Sequence, residues 1–167
     1  MNLQIVFEKL HVLLPTAQLE LVESKPDGLI KFDGQAIVDV ALMLRDRLGF
    51  ETLSCISGCD HPAISALSVT YHFASYQHRF IVALRAYLSK SVENPEVPSL
   101  CSLFKAANWL ERETFDMVGI RFRDHPDMRR ILLPEDWTGY PLRKDYQTPD
   151  YYNGMPVPLA FDVEGTP

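Results

Sequence analysis

The sequence predicts an α+β domain, with helices packed on a small mixed or antiparallel sheet in the order α-β-β-α-β-β-β-α, followed by an extended C-terminal arm. Three observations predict it. Apolar residues recur at helical spacing in three separate stretches, and between them apolar and polar residues alternate as they do in half-buried strands. Seven of the 12 prolines lie in the last 42 residues, where they interrupt any regular element. The domain is therefore placed at residues 1–119 and the arm at 120–167.

The elements follow in order. Ile5, Val6, Leu10, Leu13 and Leu14 form a helical stripe that Pro15 terminates. Leu19 and Leu21 flank Glu20, and Leu29 to Phe32 can pair with them across a Lys25-Pro26-Asp27-Gly28 turn. Asp33 is an N-cap for a second helix carrying Ile37, Ala41, Leu44 and Leu48, and Gly49 stops it. Phe50 to Ser57 reads as a strand. Leu67, Val69, Tyr71 and Phe73 alternate with Ser68, Thr70 and His72, giving one buried and one polar face. Tyr76-Gln77-His78 turns the chain into Phe80, Val82 and Leu84, leaving His72 and His78 exposed. Asn94 to Ser99 is a break, and Ser99 or Ser102 opens a third helix. Its core stripe is Leu103, Ala107, Leu110, Thr114 and Met117. A second line, Lys105, Trp109, Arg112 and Asp116, sets a tryptophan on a charged face, with Arg112 and Asp116 spaced to pair. Gly119 ends the helix, and Arg121 to Arg123 is a short strand.

Composition narrows the function. Of 167 residues, 47% are hydrophobic and 23% charged, with a net charge of −6, which argues against both disorder and nucleic-acid binding. The longest stretch without a charge runs over 61–78, but its histidines, serines and proline disqualify it as a membrane span. No leader pattern opens the chain, so a cytosolic or organelle-synthesised protein is expected. Three cysteines are too few for a disulfide framework. Cys55, Cys59 and His61 lack a fourth partner for a metal, so they read as free thiols beside a strand.

Function should lie between Glu111 and Asp145, where 15 of 35 residues are charged and six of the seven cations are arginine. Arginine suits bidentate pairing with carboxylates at interfaces. The arm beyond keeps Ile131, Leu132, Leu133, Trp137, Tyr140, Tyr146, Tyr151 and Tyr152 between its prolines, more apolar surface than a solvated tail would carry. An arm of this kind lies along another protein. Proline's restricted backbone lowers the cost of ordering it there.

Three runs of this region closely resemble the C subunit of respiratory complex I, the 30-kDa-type subunit of proton-pumping NADH:quinone oxidoreductase, whose plastid and cyanobacterial counterpart is the J subunit. They are Trp109-Leu-Glu-Arg-Glu-Thr-Phe-Asp-Met-Val-Gly-Ile120, His125-Pro-Asp-Met-Arg-Arg-Ile-Leu-Leu-Pro-Glu-Asp-Trp137 and Gly139-Tyr-Pro-Leu-Arg-Lys-Asp-Tyr146. Residues 50–100 fit more loosely, through Ile56-Ser-Gly-Cys-Asp60 and Asn94-Pro-Glu-Val-Pro-Ser99, and residues 1–49 in element order only. Two positions depart from the pattern: Asp124 stands where glycine commonly precedes His-Pro-Asp, and Gln147 where proline is frequent. The His-Pro-Asp loop of J-domain co-chaperones is a false match, because no antiparallel helix pair flanks it here.

The resemblance implies a non-catalytic scaffold in the peripheral arm of the complex, packed on the large quinone-site subunit and near iron–sulfur subunits. It also implies no cofactor in this chain, with FMN, the clusters and quinone in neighbouring subunits. The implied location is the cytoplasmic face of a bacterial inner membrane, or the matrix or stroma side in an organelle. The expected partner-binding residues are Trp109, Glu111, Arg112, Glu113, Asp116, His125, Asp127, Arg129, Arg130, Asp136, Trp137, Arg143, Lys144 and Asp145. Ferredoxin-linked or hydrogenase-linked machines are the alternative setting. A stand-alone enzyme using Glu111, Glu113, Asp116 and His125 as acid/base groups is the competing class.

Overall fold

The computed structural model describes residues 1–23 and 28–157. Helix α1 (Leu3–Leu13) is capped by the Asn2 side chain, which accepts from the Ile5 amide at 2.9 Å. It buries Val6 and Leu10, whereas Ile5 and Leu13 of the expected stripe stay largely outside. Strands β1 (Glu20–Val22) and β2 (Leu29–Lys31) form the expected hairpin, with Glu20 opposite Lys31; Lys25 to Asp27 of its expected turn lie outside the described residues. Asp33 caps a short 3-10 turn that leads into α2 (Ile37–Leu48). Helix α2 buries Ile37, Val40, Ala41, Leu44 and Leu48, and ends on Gly49 at φ 71°.

Three ten-residue strands make the centre of the sheet: β3 (Thr52–His61), β4 (Ala66–Ser75) and β5 (Phe80–Ser89). Strand β3 runs four residues past the expected Ser57, because pairing with β4 persists to the His61–Ala66 register. The five-stranded order is β1-β2-β5-β4-β3, antiparallel except for the parallel β2–β5 contact. Ile56, Leu67, Val69, Tyr71, Phe73, Val82, Leu84 and Ala86 turn to the helices and form the core. The opposite face is polar, as the alternation requires, yet Ser68 and Thr70 on it are buried. Long neighbours cover them: His61 meets the Ser68 hydroxyl at 2.8 Å, and Arg85 donates to Thr70 at 2.9 Å. His72 and His78, expected to be exposed, are both half-buried. His78 reaches the Leu48 carbonyl at 3.1 Å.

The third helix starts later than its serines suggest. Helix α3 spans Ala107–Val118, and residues 100–106 form turns. The Ser99 hydroxyl and Leu100 amide are drawn to the Glu111 carboxylate instead of capping a helix. The expected break before them contains β6 (Glu96–Pro98), which pairs in parallel with β7 (Arg121–Arg123), the short strand anticipated after Gly119. That pairing brings the chain back to the domain before the arm departs. Asp124 then adopts φ 65°, the left-handed turn that glycine favours. Near its end the arm forms a hairpin of β8 (Tyr151–Tyr152) and β9 (Met155–Pro156). Among the described residues, no helix is long and apolar enough to cross a membrane.

Candidate partner-binding site

Helix α3 presents three faces. Ala107, Glu111, Thr114 and Val118, spaced four, three and four apart, form its buried face, with Thr114 and Val118 against β3. This stripe contains a carboxylate, so hydrophobicity alone selects its neighbours Leu110 and Met117 instead. Gly58 permits the close approach: a Cβ there would lie 3.0 Å from both Thr114 and Val118. Arg112 and Asp116 point to a second face covered by the arm. Trp109 and Glu113 point to solvent.

The Glu111 carboxylate is fully buried and accepts from Leu100 N at 2.7 Å and Ser99 Oγ at 2.7 Å. Burial raises its pKa, against the pull of these donors and the Cys101 thiol. Burial also pushes the Cys101 thiol up to about 11.

Asp116 holds the arm. Its Oδ2 accepts three consecutive backbone N–H groups, from Ile131 at 3.0 Å, Leu132 at 2.7 Å and Leu133 at 3.0 Å. Its Oδ1 meets Arg130 Nη1 at 2.6 Å. Burial works against the anion, but the backbone donors and Arg130 outweigh it, and the pKa falls below the usual carboxylate value. Arg130 goes on to donate to the carbonyls of Asp116, Trp137 and Gly139, with its guanidinium over the Tyr140 ring. Arg112 does not pair with Asp116. It donates to the Arg129 carbonyl at 3.2 Å, lies 3.8 Å from Asp127, and stacks over Trp109 at 5.0 Å.

His125 ties the following turn to α3. Its Nδ1 accepts from the Asp127 amide at 3.0 Å, so Nε2 carries the proton that reaches the Asn108 carbonyl at 3.1 Å. Further along, Arg143 donates to the Val118 carbonyl at 2.7 Å and lies over Tyr140, while the Lys144 amide bonds Asp60 Oδ2 at 2.8 Å. Lys90 joins Asp60 to Asp145 at 2.8 and 3.1 Å. Trp137 donates to the Tyr146 hydroxyl, and the Tyr152 hydroxyl donates to Asp136.

The 14 expected partner-binding residues thus divide. Arg112, Asp116, Arg130 and Arg143 hold this chain's own arm, and Glu111 is buried against the Ser99 turn. Trp109, Glu113, Asp127, Arg129, Asp136, Lys144 and Asp145 are exposed, while His125 and Trp137 are half-buried. Sequence reading missed Ser99, Asn108, Lys90 and the phenol of Tyr140, because each acts through a contact distant in sequence or through a backbone atom. Asp60 carried a faint signal as the end of the Ile56–Asp60 run.

The acid/base candidates do not converge. Glu113 faces outward, Asp116 faces the arm, and Glu111 faces the Ser99 turn. Cys101, Glu111 and His125 do bring possible ligand atoms within 4.8 Å of one another. All three are engaged by the protein itself: both ring nitrogens of His125, both oxygens of Glu111, and the thiol that leans on Glu111 at 3.6 Å. Among the described residues, the acid/base candidates are thus held in separate hydrogen-bond networks.

Comparison with known proteins agrees with that architecture. The chain is 44% identical over 122 residues to the C subunit of the NADH-quinone oxidoreductase of Chloroherpeton thalassium, a match covering 71% of this chain and half of that protein's length. It is 36% identical over 149 residues to the C subunit of the F(420)H(2) dehydrogenase of Methanosarcina mazei, covering 88% of this chain and 93% of that one. The crystallised trypsin-resistant fragment (1–134) of Nqo5 superposes with a TM-score of 0.62 at 25% identity, covering 76% of this chain and 99% of the fragment. The family described as respiratory-chain NADH dehydrogenase, 30 Kd subunit, matches residues 30–152, and the chain belongs to it.

Proposed function

We propose that this chain is a non-catalytic scaffold of the peripheral arm of a proton-pumping NADH:quinone oxidoreductase. In this role it packs on the large quinone-site subunit and beside iron–sulfur subunits, on the cytoplasmic side of the membrane or its organellar equivalent. One observation carries the scaffold role: Arg112, Asp116, Arg130 and Arg143, buried or half-buried, are spent on pinning the arm to α3. A carboxylate fixed by arginine and backbone donors, as Asp116 is, holds a conformation and lacks the tuned, accessible pKa of a proton-transfer group. The exposed remainder, Trp109, Glu113 and Arg129 with Leu132 and Leu142, has the aromatic, arginine and apolar character of interface anchors.

The test is purification through a tag on this chain. The expected result is a multisubunit assembly with NADH:quinone activity, and no turnover by the chain alone. Isolation of the chain without partner subunits would overturn the reading. A second setting is favoured by one comparison: the Methanosarcina relative, named for an F(420)H(2) donor, matches over 93% of its length. A scaffold distant from the electron-input module would serve either donor. Assaying the same assembly with NADH and with F(420)H(2) decides between them.

A further inference from the structure

Between the β3 edge and α3 lies a cavity of about 170 Å³, lined by Cys55 to Gly58, Leu110, Glu113, Thr114, Met117, Val118 and Leu142. It is an apolar socket with a single carboxylate at its rim. Glu113 is exposed and has no ion-pair partner among the described residues, and no cationic side chain lines the socket. Trp109, 63% exposed, lies one helical turn before Glu113 on the same face of α3. Leu142, 57% exposed, closes the far side, its amide fixed to the Met117 carbonyl at 3.0 Å.

These features complement one another. The walls are held by long-range contacts on both sides: Thr114 reaches back toward the Ile56 carbonyl, and the Lys144 and Arg143 bonds fix Leu142 over the opening. A preformed pocket that takes one apolar side chain is where an interface concentrates its energy. An unpaired acid at its rim selects a cation beside that side chain. By contrast, the larger groove between α1 and α2 is rimmed by both signs of charge, from Glu8, Lys9 and Arg47, and selects neither.

We infer that the β3–α3 socket receives an apolar anchor residue of a neighbouring subunit, with a lysine or arginine of that same segment paired to Glu113. This rests on the reading of the chain as a scaffold subunit and specifies where a partner enters and what it carries. The socket, and not the charge cluster under the arm, is then the energetic centre of the contact. An aliphatic side chain fills the cavity, and the cation settles at the rim.

Glu113→Lys and Glu113→Gln, each in the tagged full-length chain, test the inference together with a Leu142→Cys variant. Both positions are exposed, so the chain should fold in each case. With wild type, partner subunits co-purify; if they do not, the scaffold reading itself fails, before the socket is in question. Given assembly of wild type, Glu113→Lys should lower partner recovery at least tenfold at equal levels of chain, and Glu113→Gln should lower it less. The added thiol at position 142, read by mapping the labelled peptide apart from those of Cys55, Cys59 and Cys101, should react with maleimide in the free chain and at least tenfold more slowly in the assembly. Normal recovery with Glu113→Lys, or equal labelling of free and assembled chain, overturns the socket.

Discussion

A carboxylate without solvent exposure that accepts three consecutive backbone N–H groups and an arginine, as Asp116 does, is stabilised as an anion only while those donors remain in place. Replacing Asp116 with alanine leaves Arg130 and three amides without their acceptor. The expected loss is about 3 kcal/mol of unfolding free energy, the scale for removing one member of a buried charged pair, measured by urea denaturation. Glu111 behaves differently, because its folded-state pKa is raised above the ordinary 4.5. A raised value means that the folded chain holds the proton more tightly. Its stabilising contribution is present below pH 4.5 and is lost as pH rises through the folded value. Asp116, lowered from 3.8, has the opposite sign: its contribution is present above 3.8 and is lost only as pH falls through the folded value. Urea unfolding of wild type and Glu111→Gln from pH 4 to neutrality separates the two. The stability advantage of wild type should shrink with rising pH. A gap independent of pH would show that burial does not set the Glu111 pKa.

At the scale of elements, two glycines end helices in the same left-handed conformation but in unlike surroundings. Gly49 at φ 71° has nothing nearer to a new Cβ than the tip of Gln77 at 3.4 Å, whereas at Gly119, φ 78°, it would lie 2.5 Å from the Tyr140 ring and 2.7 Å from Arg143. Gly49→Ala should therefore cost about 1 kcal/mol, for backbone strain alone. Gly119→Ala should cost about 3 kcal/mol, since strain adds to a clash that lifts Tyr140 and Arg143 from the helix end. Denaturation midpoints of the two variants check the ordering, and equal costs would mean the arm does not pack on α3 here. Both glycines were legible as stops from sequence, because a helix end needs the same residue whatever lies beyond it. That Gly119 also makes room for the ring of Tyr140, far along the arm, was not legible. Likewise Ser99 and Ser102 had the composition of caps, and only the position of Glu111 shows that Ser99 serves a carboxylate.

For the whole molecule, the question is how much of the arm belongs to this chain and how much to its surroundings. The amides of Ile131 to Leu133, Leu142 and Lys144 are bonded to α3 or to the sheet edge at Asp60, so residues 131–144 form part of the free chain's own fold. Hydrogen exchange of the free full-length chain should show the Ile131–Leu133 amides at least tenfold slower than those of Gln147 and Thr148. Comparable rates would mean that the latch closes only on assembly. The sequence by itself determined the order of the main helices and strands, the polar character of one sheet face, the helix stops and the family, since periodicity, glycine stops and a long charged motif are local properties of the chain. It also located the charged segment. Only the tertiary structure decided what those charges do. Whether Asp116 meets Arg112 four residues away or Arg130 fourteen residues away depends on where the arm crosses the helix. A buried carboxylate takes whichever donors remain when water is excluded, and that exclusion is a property of the packed molecule.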